Sequence, residues 1–223
     1  GQTAKDLGEK KVILVAPYLA YMRQDKRFNP GEAISSRIMA KLLNQSIDKI
    51  ITIDPHLHRY RSLKDIFTIS TKRLTANSVI TNYIKKKIRK SVIIGPDWES
   101  YQWADVIARE VGVESTCLKK HRYSSRHVTS KMIKQVDIKG KNAVIVDDII
   151  STGHTIAEAA KKARRKKAKS ITAIGVHGLF VEGAIEKMHK AGVNNVLTTN
   201  CIEHKTNKID VTELILKELK REK

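Results

Sequence analysis

The sequence predicts an α/β protein built on parallel sheets. Three features carry that expectation: short apolar runs recur along the chain, segments of helical period separate them, and polar chemistry is concentrated just after the runs. The runs are KVILVAPY (11–18), KIITID (49–54), SVIIGPD (91–97), AVIVDD (143–148), SITAIGVHG (170–178) and NVLTTN (195–200). Each is a nearly continuous apolar stretch, as a strand covered on both faces requires. Helical period occupies Ile34 to Leu43, Val79 to Ile88, Trp98 to Val111, Thr155 to Arg165 and Val181 to Ala191.

Taken in order, the opening GQTAKDLGEKK reads as the last turns of a helix stopped by Gly8, ahead of the first strand. A domain seldom begins inside a helix, so residues upstream of Gly1 are expected. The first strand leads into YLAYMRQDKR (18–27), the second into DPHLHR (54–59), the third into GPDWE (95–99) and the fourth into DDIISTGHT (147–155). Ligands of open α/β sheets bind at the carboxyl ends of strands, so these four segments hold the candidate chemistry. A boundary falls near residues 60 to 75, dividing the first two strands from the later four. STCLKKHRYSSRHVTSK (115–131) breaks the alternation: it is polar, cationic and poorly periodic, and reads as a long lid-like loop or a hairpin.

Composition places the chain among globular proteins. Of 223 residues 41% are hydrophobic and 30% charged, and no stretch approaches the roughly 18 consecutive apolar residues that a membrane span needs. No secretory leader pattern opens the chain. Cys117 and Cys201 make neither a disulfide framework nor a zinc site, and a cytoplasmic setting is expected. The 43 Lys and Arg against 23 Asp and Glu give a formal charge of +20, which favours anionic partners. Much of the excess lies in KKKIRK (85–90) and KKARRKKAK (161–169). These runs carry no interleaved aromatics for base stacking and read as solvated helix faces, which disfavours a nucleic-acid partner.

The most informative stretch is VIVDDIISTGHT (144–155). A glycine and three hydroxyls before a helix suit a phosphate cradle, where free backbone N–H groups and a helix N-terminus meet one anion. The two aspartates would repel that phosphate, so they are expected to face sugar hydroxyls or a Mg²⁺ ion. The alternative is a plain strand end, with Ser151 capping a helix and the acids in solvent.

This stretch resembles the phosphoribosyl pyrophosphate signature of type I phosphoribosyltransferases and of ribose-phosphate diphosphokinases. Other segments decide between them. APYLAYMRQDKRFNPGEAIS resembles the diphosphokinase ATP-binding stretch with its Tyr-x-Arg-Gln-Asp, and TIDPHLHR its Asp-x-His metal segment. IIGPDWES resembles its Pro-Asp segment, and CLKKHRYSSRHV its catalytic loop with a lysine and an arginine two apart. Four motifs in order span nearly the whole chain.

The resemblance implies two phosphoribosyltransferase-type domains with parallel sheets flanked by helices, the first incomplete: residues 1–66, then 67–202, then a C-terminal segment and helix, 203–223. It implies a diphosphate transfer from ATP to D-ribose 5-phosphate, Mg²⁺ as cofactor and a homo-oligomer. By motif, Arg23 and Gln24 hold ATP, and Asp147, Asp148, Ser151, Thr152, Gly153, His154 and Thr155 bind ribose 5-phosphate. His56 and Asp97 bind metal, and Lys120 and Arg122 are catalytic. The alternative for Arg23 is a surface arginine on a turn, and without the resemblance His56 is equally a structural histidine. The chain departs from its relatives at Ser151, where many carry an acid, at His154, where they carry Gly or Ala, and at Trp98 to Ser100, where many have Gly-Gly. It also shows no Phe-Pro-Asp-Gly-Glu loop. A non-catalytic homologue, or less readily a simple phosphoribosyltransferase, is the competing assignment.

Overall fold

The structure, a computed structural model, describes residues 1–122 and 128–222, and for residues 119–122 and 128–131 the backbone alone. The chain divides into two compact units, Gly1–Thr75 with Thr212–Lys223, and Ala76–Val211.

In the first unit a short helix, α1 (Gln2–Asp6), stops before Gly8, which adopts φ +98° as the expected terminator. Three parallel strands follow in sheet order β1-β2-β3: β1 (Ile13–Val15), β2 (Lys49–Ile53) and β3 (Ser70–Leu74). The long helix α2 (Ser35–Ser46) connects the first two. Central β2 reads Lys-Ile-Ile-Thr-Ile and is buried at all but its first residue. Its Ile50 packs with Leu19, Met22, Ala40, Ile47, Leu63 and Phe67. No apolar pattern marks β3, which reads Ser-Thr-Lys-Arg-Leu and was not expected as a strand. It lies at a sheet edge with no fully buried position, where backbone pairing to β2 and not an apolar run makes the strand.

The second unit holds a seven-stranded sheet of order β10-β9-β8-β7-β4-β5-β6. Its elements are α3 (Asn77–Lys87), β4 (Ser91–Gly95), α4 (Tyr101–Val111), β5 (Ser115–Arg122), β6 (Val128–Met132), β7 (Asn142–Ile150), α5 (His154–Arg165), β8 (Ser170–Gly178), α6 (Ala184–Lys190), β9 (Asn195–Thr199) and β10 (Asn207–Ile209). All pairings are parallel except β5 with β6, an antiparallel hairpin. The β4, β7 and β8 runs are almost wholly buried, which is why they are legible as apolar runs. Helix α5 turns Ala157, Ala159, Ala160 and Ala163 into the core with Ile156. Small residues let the helix sit close to the sheet, leaving its lysines and arginines on the outer face.

Segment 115–131 begins and ends as the β5–β6 hairpin, the second of the two forms expected for it. Two expectations are corrected. Helix α4 starts at Tyr101 and not Trp98, because Asp97 and Ser100 close a turn first: Ser100 N and Oγ both donate to Asp97 Oδ1 at 2.9 Å. Strand β7 continues through both aspartates to Ile150, pairing Asp147 with Gly175 and Ile150 with Gly178 on β8.

The last helix, α7 (Thr212–Leu219), belongs with the first unit. Glu218, buried on this helix, meets Lys72 Nζ at 3.2 Å and Lys49 Nζ at 3.6 Å. Glu222 beyond it accepts from Lys49 and, at 2.8 Å, from Lys11. Hydrogen bonds from Lys11 and then Lys49 hold the Glu222 carboxyl down at about 2. A depressed folded value means that this contribution is complete above the ordinary carboxylate range and lost as the pH falls through about 2. Glu222→Gln is therefore expected to melt at a lower temperature than the parent at neutral pH. The difference should close as the pH is taken toward 2, which circular-dichroism melts across that range would check.

Candidate active site

Parallel order brings the carboxyl ends of β4, β7 and β8 to one edge of the second unit, with β7 in the middle. Asp97 follows β4, Asp147 and Asp148 lie in the last part of β7, and residues 151–153 lead from β7 into α5. Asp148 N donates to Asp147 Oδ1 at 3.1 Å, and Ile149 N to Asp148 Oδ1 at 2.8 Å, which fixes both carboxylates against the strand. The Asp147 carboxyl is pushed well above the usual carboxylate range, by burial first and then by the charges of Asp148 and Asp97. Asp147 is thus held beside two other acids, an arrangement that a divalent cation or an array of sugar hydroxyls would relieve.

The loop after β7 is held from one side. The amides of Leu179 and Phe180 donate to Ile150 O at 2.9 and 3.1 Å, and Val181 N donates to Ser151 O at 3.2 Å. Lys187 Nζ donates to Thr152 O at 3.0 Å. In a trans peptide the next N–H points opposite to the carbonyl, so the amides of Ser151, Thr152 and Gly153 face away from segment 179–187. They open in company with the unpaired first-turn amides of α5, at the positive end of that helix. Gly153 makes the turn, with φ +69°. A Cβ there would lie 3.0 Å from both Ala184 O and Met188 Cγ, so the position admits little besides glycine. His154 is exposed at the first helical residue, while Ser151, Thr152 and Thr155 are half-buried.

Lys120 and Arg122 lie on β5, their backbones opposite Ser130 and Val128 of β6. Their side chains, like residues 123–127, fall outside the described residues.

In the first unit Arg23 is exposed on the turn after β1. Gln24 is half-buried; its Oε1 accepts from Ser35 Oγ at 2.7 Å and its carbonyl from Ser36 N at 3.2 Å. Both bonds tie the segment to the start of α2. His56 stands two residues after Asp54, a buried residue with φ +37° that directly follows β2. The His56 and His58 rings lie 3.7 Å apart, with Nδ1 of the first 3.1 Å from Nε2 of the second.

Asp25 joins the stretch after β1 to the stretch after β2, a link that sequence reasoning missed. Its buried carboxylate accepts from Arg59 Nη1 at 2.7 Å, and Tyr60 Oη donates to its carbonyl at 3.4 Å. The available signal is its place within Tyr-Met-Arg-Gln-Asp; its burial is not readable there. Lys187 was also missed, and no local pattern marks it.

Residues 68–214 match the family described as phosphoribosyl transferase domain, and residues 1–46 the N-terminal domain of ribose phosphate pyrophosphokinase. A ribose-phosphate pyrophosphokinase of Pyrococcus abyssi is 38% identical over 217 residues, covering 97% of this chain and 74% of that protein. The chain belongs to the ribose-phosphate pyrophosphokinase family. A relative of the same name from Methanobrevibacter smithii is 37% identical over 223 residues, across 95% of this chain and 74% of its own. Among solved structures, the phosphoribosylpyrophosphate synthetase of Mycobacterium smegmatis superposes with a TM-score of 0.83 at 25% identity, over 98% of this chain and 74% of that one. Family membership makes the chain one of an enzyme class, and it covers both units: the two matched models begin in the first and run through the second.

Proposed function

We propose that the protein transfers diphosphate from ATP to the C1 hydroxyl of D-ribose 5-phosphate, giving 5-phosphoribosyl 1-diphosphate and AMP. The C1 oxygen attacks the β-phosphorus and loses its proton to solvent. The bond between the β-phosphorus and the bridging oxygen on its α side breaks, and AMP leaves with that oxygen. The observation that carries this reading is the amide-lined loop at 151–155 beside Asp147 and Asp148, in a chain of this family.

Ser151, Thr152, Gly153, His154 and Thr155 would receive the 5-phosphate, and Asp147 and Asp148 the ribose hydroxyls. Arg23 offers ATP a fork of donors. Gln24, with its oxygen engaged by Ser35 and its amide also bonded to Glu32, offers its remaining N–H. Mg²⁺ would neutralise charge on the phosphates. The mutual repulsion around Asp147 supports a cation near Asp97, whose Oδ1 is engaged by Ser100 while Oδ2 remains for a ligand. His56 is assigned the same role within its own unit, on the strength of its motif. Lys120 and Arg122 would oppose the charge on the phosphoryl group in transfer.

A cytoplasmic homo-oligomer fits a biosynthetic enzyme of this kind. Among the described residues no helix is long and apolar enough to cross a membrane. The deciding measurement is AMP release from ATP and ribose 5-phosphate in the presence of Mg²⁺, with 5-phosphoribosyl 1-diphosphate identified as co-product. AMP formed only with ribose 5-phosphate present is the expected result. No turnover by folded protein at saturating substrates would assign the chain instead as a non-catalytic homologue.

A further inference from the structure

The two basic runs, about seventy residues apart in sequence, meet at one end of the second unit. KKKIRK closes α3 and enters β4; KKARRKKAK closes α5 and enters β8. Both helices precede parallel strands, so both runs lie at the amino edge of the sheet, opposite Asp97 and Asp147. Strand β7 lies between β4 and β8 and begins there too, after Lys139 and Lys141. Backbone bonds join the three turns. Asn142 N donates to Lys90 O at 3.0 Å, Gly140 N to Lys167 O at 3.0 Å, and Lys169 N to Lys141 O at 2.8 Å.

Helix dipoles explain only part of this charge. Cations in the last turn of a helix are favoured by its negative end, which accounts for Lys85 to Lys87 and for Arg164 and Arg165. Arg89, Lys90, Lys139, Lys166, Lys167 and Lys169 lie past the helix ends or in the turn before β7. All six are exposed, and among the described residues none of their side-chain cations forms an ion pair, in contrast to Lys141, which meets Glu114 at 2.9 Å; Asp137 accepts only the backbone N–H of Lys139, at 3.2 Å.

Two of the six also stand against backbone preference. Lys90 has φ +49° and Lys167 φ +61°. Lys167 occupies the left-handed position of a Schellman turn: its N–H donates to Arg164 O at 2.8 Å, and Ala168 N to Ala163 O at 3.1 Å. Glycine is the usual residue there. The same unit uses it at equivalent turns, Gly112 after α4 with φ +83° and Gly192 after α6 with φ +101°. Among the described residues, lysine takes the strained place only at the basic edge.

Against the expectation drawn from the runs taken singly, we infer that this edge binds the phosphate backbone of double-stranded nucleic acid without regard to sequence. Strands lie about 4.8 Å apart, so the cations at β4 and β8 flank β7 across about 10 Å, close to the roughly 12 Å of a major groove. Single strands are bound by stacking on aromatic rings, and membranes by apolar anchors beside the cations. The large exposed apolar side chains among the described residues, such as Trp98 and Val181, lie at the opposite edge of this unit or in the other unit. Charge without rings or anchors suits a duplex.

The test is binding of the full chain to a random-sequence DNA duplex of about 30 base pairs, followed by anisotropy from about 50 to 300 mM salt. Lys90→Gly with Lys167→Gly removes two charges while giving each turn its preferred residue, so its melting temperature should not fall. The slope of log K against log salt should shrink by about 2, and affinity at about 100 mM should drop at least about tenfold. Lys41→Gln with Lys64→Gln, an equal loss on exposed residues of the first unit, should change neither. Should the glycine pair melt early, Lys139→Gln with Lys169→Gln carries the same expectation without touching a strained turn. Equal losses from the edge and control pairs would overturn the inference. So would no duplex binding at about 150 mM salt, or anionic vesicles bound more tightly than duplex.

Discussion

Replacing Lys120 with alanine is expected to lower AMP formation by about 10²- to 10³-fold, with ribose 5-phosphate affinity changed little. Phosphoryl transfer asks a protein chiefly for positioned positive charge, because the charge to be stabilised spreads over the oxygens of the transferring group. An ammonium delivered in the transition state lowers the barrier without adding to ground-state binding, so its loss appears in kcat and not in the affinity for the sugar phosphate. Its placement on β5, next to β4 and so beside the strand that leads to Asp97, is compatible with that role. Arg122→Ala should act in the same direction. The measurement is kcat by AMP release, paired with calorimetric titration of ribose 5-phosphate; near-normal turnover would remove Lys120 from the mechanism.

Gly153→Ala is expected to do the reverse, weakening ribose 5-phosphate about ten- to a hundredfold while the folded protein survives. The added methyl would meet Ala184 O and Met188 Cγ at 3.0 Å, in a residue whose φ of +69° already disfavours any side chain. Relief comes from moving the loop or α6, either of which misaims the amides of residues 151–153. Strain of about 1–3 kcal/mol corresponds to that range of binding constants. A melting temperature measured beside the titration separates a misaimed loop from a lost fold, and unaltered affinity in a folded variant would take the phosphate away from this loop.

Buried strands announce themselves in a linear sequence. Those that carry Asp97, Asp147 and the 151–155 loop are apolar because both their faces are covered, and an apolar run followed by acids or a glycine turn stands out. Edge strands do not. Strand β3 contains lysine and arginine, because pairing on one side satisfies the backbone and none of its side chains is fully buried. Asp25 is visible as a letter in a motif, but its 2.7 Å bond to Arg59 joins segments thirty-four residues apart. Lys187 reaches back thirty-five residues to Thr152, and nothing near it in sequence marks that reach.

The fold class, the family resemblance and the residue types at each strand end follow from local pattern, and so from sequence alone: burial of a strand, conformational freedom of a glycine, spacing within a loop. Which charges face one another follows only from how the strands assemble. Parallel pairing buried Asp147, which raises its proton affinity first, and set the charge of Asp97 beside that of Asp148 around it; it also turned the amides of residues 151–153 away from segment 179–187 and gathered two distant basic runs on the far edge of the same sheet. Electrostatic interaction falls off with distance through space and not along the chain, so its pattern becomes legible only once strand order is known.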